Sequence, residues 1–106
     1  MITMPRLAAL DAARPRLEAM LEQEYEQRTE ALAALGQRRR RRATPDLEAT
    51  TTAARAALAD VALALRRMAE GRYGTCETCT GDIELDRLEL LPSARCCRAC
   101  APLSAA

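Results

Sequence analysis

The chain has 106 residues and a net charge of +1, from 16 arginines, no lysine and 15 acids. It has no Phe, no Trp, two Tyr and 23 Ala, so an apolar fraction of 49% overstates the core it can fill, because alanine buries little area. This excludes a large globule and whole-chain attraction to nucleic acid or a membrane surface, and no apolar run approaches the ~20 residues that cross a bilayer. A thin helical fold stapled by a metal suits such a composition.

From Pro5 to about Arg42 the sequence is rich in Ala, Leu, Glu and Arg, which predicts a long helix. Pro5 suits the first turn, whereas Pro15 predicts a kink or a separate short helix before it. Gly36 either weakens the helix interior or caps it and leaves the following arginines in a loop. Those arginines, Arg38, Arg39, Arg40, Arg41 and Arg42, read first as a solvated helix end whose cations suit the negative pole. They are also a candidate partner-binding run, and with no aromatic residue nearby an acidic protein surface fits better than a nucleic acid.

A second helix starts after Thr44 as N-cap, with Pro45 in its first turn and Asp46 and Glu48 facing the positive pole. Leu47, Thr51, Ala54, Leu58, Val61, Leu65, Met68 and Arg72 form an unbroken heptad seam that Gly71 and Gly74 end. The first helix must then fold back antiparallel over a turn near Ala43. This register sets Leu58 against Leu32, Ala54 against Leu35, Leu65 against Tyr25, Met68 against Leu21 and Val61 against Arg28. Leu47 and Thr51 then face only arginines, making the tip the least stable part, while Leu7 and Leu10 run past the second helix to cover the cysteine-bearing module. The predicted architecture is mainly α: a long antiparallel coiled-coil hairpin over residues 1–72, tip near 43–46, then a small four-cysteine zinc-finger module over 73–106.

The densest chemistry lies in that module. Cys76-Glu77-Thr78-Cys79 and Cys97-Arg98-Ala99-Cys100 repeat the C-x2-C knuckle, and with no His in the chain they supply a closed four-sulfur set for one structural Zn²⁺. Four small buried hydrophobes or two disulfides are the alternatives. Cys96 and Cys100 are separated by three residues, Cys97, Arg98 and Ala99, a spacing zinc ligands also use, so the metal could slip from Cys97 to Cys96. Otherwise it is a non-ligand thiol, packed or partly exposed, and beside Arg95 and Arg98 it is a candidate redox handle.

A hairpin leading through Gly71-Arg72-Tyr73-Gly74-Thr75-Cys76-Glu77-Thr78-Cys79 into such a finger resembles the DksA/TraR family of bacterial zinc-finger transcription factors. Gly71, Tyr73, Gly74, Cys76, Cys79, Ile83, Arg87, Leu88, Pro92, Ala94, Cys97 and Cys100 all match its pattern, and Cys96 falls on a non-ligand position of it. Upstream, the hairpin is similar to the family in architecture only.

The resemblance implies a non-enzymatic regulator that binds RNA polymerase and inserts the hairpin tip into its secondary channel, without sequence-specific DNA contact. The family's tip carries an acidic D-x-x-D-x-A pattern. Here Asp46 matches its first Asp, Ala49 stands at the second and Thr51 at the Ala, so Glu48 is the candidate substitute acid. Thr80 replaces the knuckle glycine, and six residues follow Cys100 where longer members carry a C-terminal helix. Longer members bind the alarmone ppGpp through basic residues whose counterparts here are Asp60 and Ala101, so ppGpp binding is not expected.

The expected protein is therefore a cytoplasmic, zinc-containing polymerase-binding regulator, outside the membrane and without enzymatic activity. Met1 to Pro5 lacks the features of a signal peptide, and thiols at metal spacing favour a reducing compartment. The rival is a zinc-stabilised coiled-coil adaptor with another partner, in one form switched by oxidation of Cys96 or the ligands.

Overall fold

A computed structural model describes residues 4–101 of the chain. Helix α1 (Met4–Arg41) and helix α2 (Pro45–Ala69) pack antiparallel, and a short helix α3 (Leu85–Leu90) lies within the cysteine-bearing segment. The molecule is drawn out to 54 × 28 × 21 Å.

Helix α1 is unbroken through Pro15 and Gly36. No separate short helix precedes Pro15, and Gly36 is no cap, so Arg38 to Arg41 belong to the helix rather than to a loop. Pro15 removes the usual donor to the Asp11 carbonyl, yet both residues are exposed, so water can take that donor's place. The chain reverses over residues 42–44, where Arg42 N–H still bonds the Arg38 carbonyl at 3.0 Å. Thr44 caps α2 from extended backbone, its Oγ1 accepting from the Leu47 N–H at 3.1 Å with Pro45 following.

The far end of α2 closes in a Schellman motif: Arg72 N–H bonds the Arg67 carbonyl at 2.8 Å and Gly71 N–H bonds that of Met68 at 3.2 Å. Gly71 supplies the left-handed residue, at φ 75°. Arg72, expected to end the seam, is beyond the helix and exposed.

One contiguous core sits at the hairpin's base, where Leu10, Ala13, Leu17 and Leu21 of α1 meet Val61, Ala64 and Met68 of α2 and Tyr73, Ile83 and Leu88 of the finger. Leu10 thus covers the finger as expected, but Leu7 is 40% exposed. Inward positions of α1 run Leu10, Ala13, Leu17, Leu21, Glu24, Arg28, Leu32, Leu35, Arg39, a 3-4-4 spacing rather than the heptad of α2. That drift turns Glu24 inward and leaves Tyr25, expected opposite Leu65, on the exposed side. Glu24 and Arg28 hold each other at 2.7 Å. Leu47 and Thr51 are buried near the tip rather than left facing bare cations, and the Thr51 hydroxyl donates to the Leu47 carbonyl at 2.8 Å.

Candidate metal centre and hairpin tip

The first knuckle is a tight hairpin. Thr75 and Asp82 form an antiparallel bridge, Cys76 N–H bonds the Gly81 carbonyl at 2.7 Å, and Ile83 N–H bonds that of Gly74 at 2.8 Å. Gly74, at φ 87°, lets α1 approach, because a Cβ there would stand 3.3 Å from both Arg6 Nη2 and Leu10 Cδ2. Thr80, where the family has glycine, takes φ 61°, a conformation that β-branched residues rarely adopt. In the second knuckle the N–H groups of Cys100 and Ala101 both bond the Cys97 carbonyl, at 3.0 and 2.9 Å.

These turns bring the sulfurs of Cys76, Cys79, Cys97 and Cys100 within 4.8 Å of one another. Cys79 and Cys97 Sγ are 3.8 Å apart, and a regular tetrahedron with Zn–S bonds of about 2.3 Å has an S···S edge of about 3.8 Å. The donor set therefore fits one zinc ion with no further ligand. No disulfide joins any of the five cysteines, so the disulfide alternative is not what the chain adopts. Cys96 stands outside the quartet, buried, its Sγ 3.5 Å from Thr78 Oγ1. The cations beside it are engaged: Arg95 grips Glu77 at 2.7 and 2.9 Å, and Arg98 reaches Asp86 at 3.2 Å.

Electrostatics at the quartet suit a dication. Burial pushes the Cys76 thiol up, but the backbone N–H groups of Cys79, Cys97 and Thr78 outweigh it and bring it to about 6. Cys100 is pushed up to about 12, first by sharing a hydrogen bond with Cys97 and then by desolvation. The N–H groups around Cys76 thus favour its thiolate, the form in which a cysteine binds a metal.

The finger is bound to the hairpin by polar as well as apolar contacts. Arg95 bridges Glu77 of the first knuckle to Asp60 of α2, the latter at 3.1 Å, and Glu77 N–H bonds the Arg95 carbonyl at 2.9 Å. The Arg95 guanidinium holds the Glu77 carboxyl below the usual carboxylate range. Arg87 Nε donates to the Cys96 carbonyl at 2.9 Å, and the buried Tyr73 hydroxyl, pushed up to about 12 by burial, donates to that of Pro92 at 2.8 Å.

At the other end, Asp46 is exposed in the first turn of α2, and its carboxylate meets no partner among the described residues. Glu48 is held by a fork from Arg39, Nε at 2.6 Å and Nη2 at 3.2 Å. That pair was not anticipated, although the antiparallel register places the two within a turn of each other. Arg38, Arg40, Arg41 and Arg42 are exposed, with no side-chain partner among the described residues.

Residues 71–103 match the family described as the prokaryotic dksA/traR C4-type zinc finger. A comparison with curated proteins finds no match. Among solved structures, the chain is similar to transcription factor DksA2 from Pseudomonas aeruginosa, with a TM-score of 0.71 and 22% identity over 87% of this chain and 82% of that one. No described helix is long and apolar enough to cross a membrane. The chain thus has the fold of a helical hairpin similar to that of DksA2, and its base carries a segment that matches the dksA/traR C4-type zinc finger.

Proposed function

We propose that the protein is a transcription regulator that binds RNA polymerase and inserts its hairpin tip into the secondary channel, with one structural zinc organising the base. What carries this reading is the pairing of the four-cysteine finger with a projecting hairpin, in the fold of a transcription factor, over most of the chain. A closed four-sulfur shell leaves no coordination site for an activated water, so the metal's role is to hold structure.

At the tip, Asp46 is the acid free to act, because Glu48 is already the anion of an internal pair. The chain is not assigned an alarmone. Asp60 and Ala101 line one open cleft between α2 and the finger, together with Glu77, and the cleft's Arg95 is committed to both carboxylates. The same departures at the tip support the second reading, an adaptor with another partner.

Purified chain and RNA polymerase in a binding assay separate the two readings, and a defined in vitro transcription assay then tests the tip. Asp46→Asn keeps size and most capping ability, so polymerase affinity should stay close to the parent while any effect on transcription weakens. A parent chain that does not bind polymerase leaves only the adaptor; an Asp46→Asn protein that regulates as the parent does removes Asp46 from the working end.

A further inference from the structure

The last four residues of α1, Arg38 to Arg41, step through about 300° around its axis at about 100° each, and Arg42 follows as the first residue of the turn. Arg38 to Arg42 therefore form a collar rather than a face. Arg39 points to α2 and is neutralised by Glu48, which leaves Arg38, Arg40, Arg41 and Arg42 spread around the solvent side of the tip, exposed and unpaired among the described residues. Between residues 38 and 48, five arginines against Asp46 and Glu48 leave an excess of three positive charges, in a chain whose total is only +1.

Helix stability does not account for this concentration. The negative pole of α1 is equivalent to about half a charge, and its benefit falls off within the last turn. Like charges three and four residues apart, such as Arg38 with Arg41 and Arg42, repel. The collar is thus a set of cations held at the far end of a 54 Å body at a cost to that end.

We propose that this collar docks into an acidic recess of a protein partner that encloses the tip. Geometry decides the class of partner. A nucleic acid strand or duplex lying against the tip would engage one side and leave the opposite guanidiniums in water, whereas a carboxylate-lined recess meets them all round. The chain's two tyrosines, Tyr25 and Tyr73, lie in mid-α1 and buried in the finger, so the tip has no platform on which bases could stack. Guanidinium forks match carboxylates bidentately and are weakly hydrated, which suits an enclosed wall. This rests on the polymerase reading above, in which the recess is the wall of the channel that receives the tip.

The test compares the parent with a protein carrying Arg38→Gln, Arg40→Gln, Arg41→Gln and Arg42→Gln, and with another carrying lysine at the same four positions. Gln and Lys both keep helix propensity close to that of Arg. Affinity for purified RNA polymerase is measured across a range of salt concentrations, beside affinity for arbitrary single-stranded and duplex DNA. The Gln protein should bind polymerase roughly tenfold or more weakly at low salt, with a shallower salt dependence; the Lys protein should stay nearer the parent. The parent's own affinity must fall as salt rises, which tests the collar even if the Gln protein folds poorly. A Gln protein that matches the parent in affinity and salt slope overturns the collar alone. So does a parent that binds DNA through these arginines while its polymerase affinity ignores them. A parent that fails to bind polymerase overturns both the collar and the reading beneath it.

Discussion

At its base the hairpin buries Leu10, Ala13, Leu17 and Leu21 against Val61, Ala64, Met68 and the finger, whereas from residue 22 to 41 helix α1 contributes no buried side chain. The outer half is held by half-buried Leu32, Leu35, Ala54 and Leu58, by buried Leu47 and Thr51 on α2, and by the Arg39–Glu48 fork. One end is a small globule that a metal completes; the other is a thin, charged two-helix rod. The contrast explains how a chain with no Phe or Trp folds at all: its larger side chains are gathered where two helices and the finger meet, and the rod is left to helix propensity and a cap. Stability is concentrated away from the tip, where Asp46, Arg38, Arg40, Arg41 and Arg42 stand exposed.

The largest expected effect arises because the core is shared. Cys76, Ile83 and Leu88 pack in the same cluster as Leu17 and Val61, so the finger cannot unfold without uncovering the hairpin's base. Binding of a structural zinc contributes on the order of 10 kcal/mol or more. Chelation under reducing conditions should therefore remove more helical signal than the six residues of α3 could carry. The effect should grow as pH falls, because each proton a thiolate regains competes with the metal. Circular dichroism during chelator titration measures this, and an unchanged melting temperature in the metal-free protein would place the hairpin's stability elsewhere.

How much of this was legible in the sequence depends on whether position or rotation was at stake. Spacing alone identified Cys76, Cys79, Cys97 and Cys100, because a C-x2-C turn dictates where its sulfurs point. Thr44 and Pro45 marked the start of α2 for equally local reasons. What escaped was set by helix rotation and by contacts distant in sequence. The 3-4-4 drift of α1 put Glu24 rather than Tyr25 on the inner side, and Ala64 is buried although the heptad named only Leu65. The fork between Arg39 and Glu48 needs both helices in place before it exists, and the same holds for Arg95 between Glu77 and Asp60. The left-handed Thr80 could be suspected only from the glycine the family has there.

A core truncation at each end sharpens the comparison at a smaller scale. Leu17 is fully buried, so Leu17→Ala should cost about 2–5 kcal/mol, with the loss growing with the cavity left behind. Leu32 is only half-buried in the outer rod, and Leu32→Ala should cost roughly 1 kcal/mol, since less apolar area returns to water. Denaturant melts of the zinc-loaded proteins give both values. Equal costs would mean that the rod and the base share one core, contrary to the burial pattern.

The smallest effects come from one backbone substitution at each end, both expected to stabilise. Gly36 lies within α1, and a Cβ added there meets nothing within 4 Å, so Gly36→Ala should gain about 1 kcal/mol from helix propensity alone. Thr80 has φ 61° in the first knuckle, and Thr80→Gly should gain about 1 kcal/mol by removing the left-handed penalty. The two gains should be read out differently. Gly36→Ala acts on the rod and should slow amide exchange in the outer half of α1 without altering zinc affinity. Thr80→Gly acts between Cys79 and Gly81, whose N–H donates to Cys79 Sγ at 3.4 Å, so its gain should appear as tighter zinc binding in a chelator competition. If Thr80→Gly instead weakened the metal, the hydroxyl's bond to the Cys79 carbonyl at 2.6 Å would outweigh the strain, and threonine would be the residue this knuckle requires.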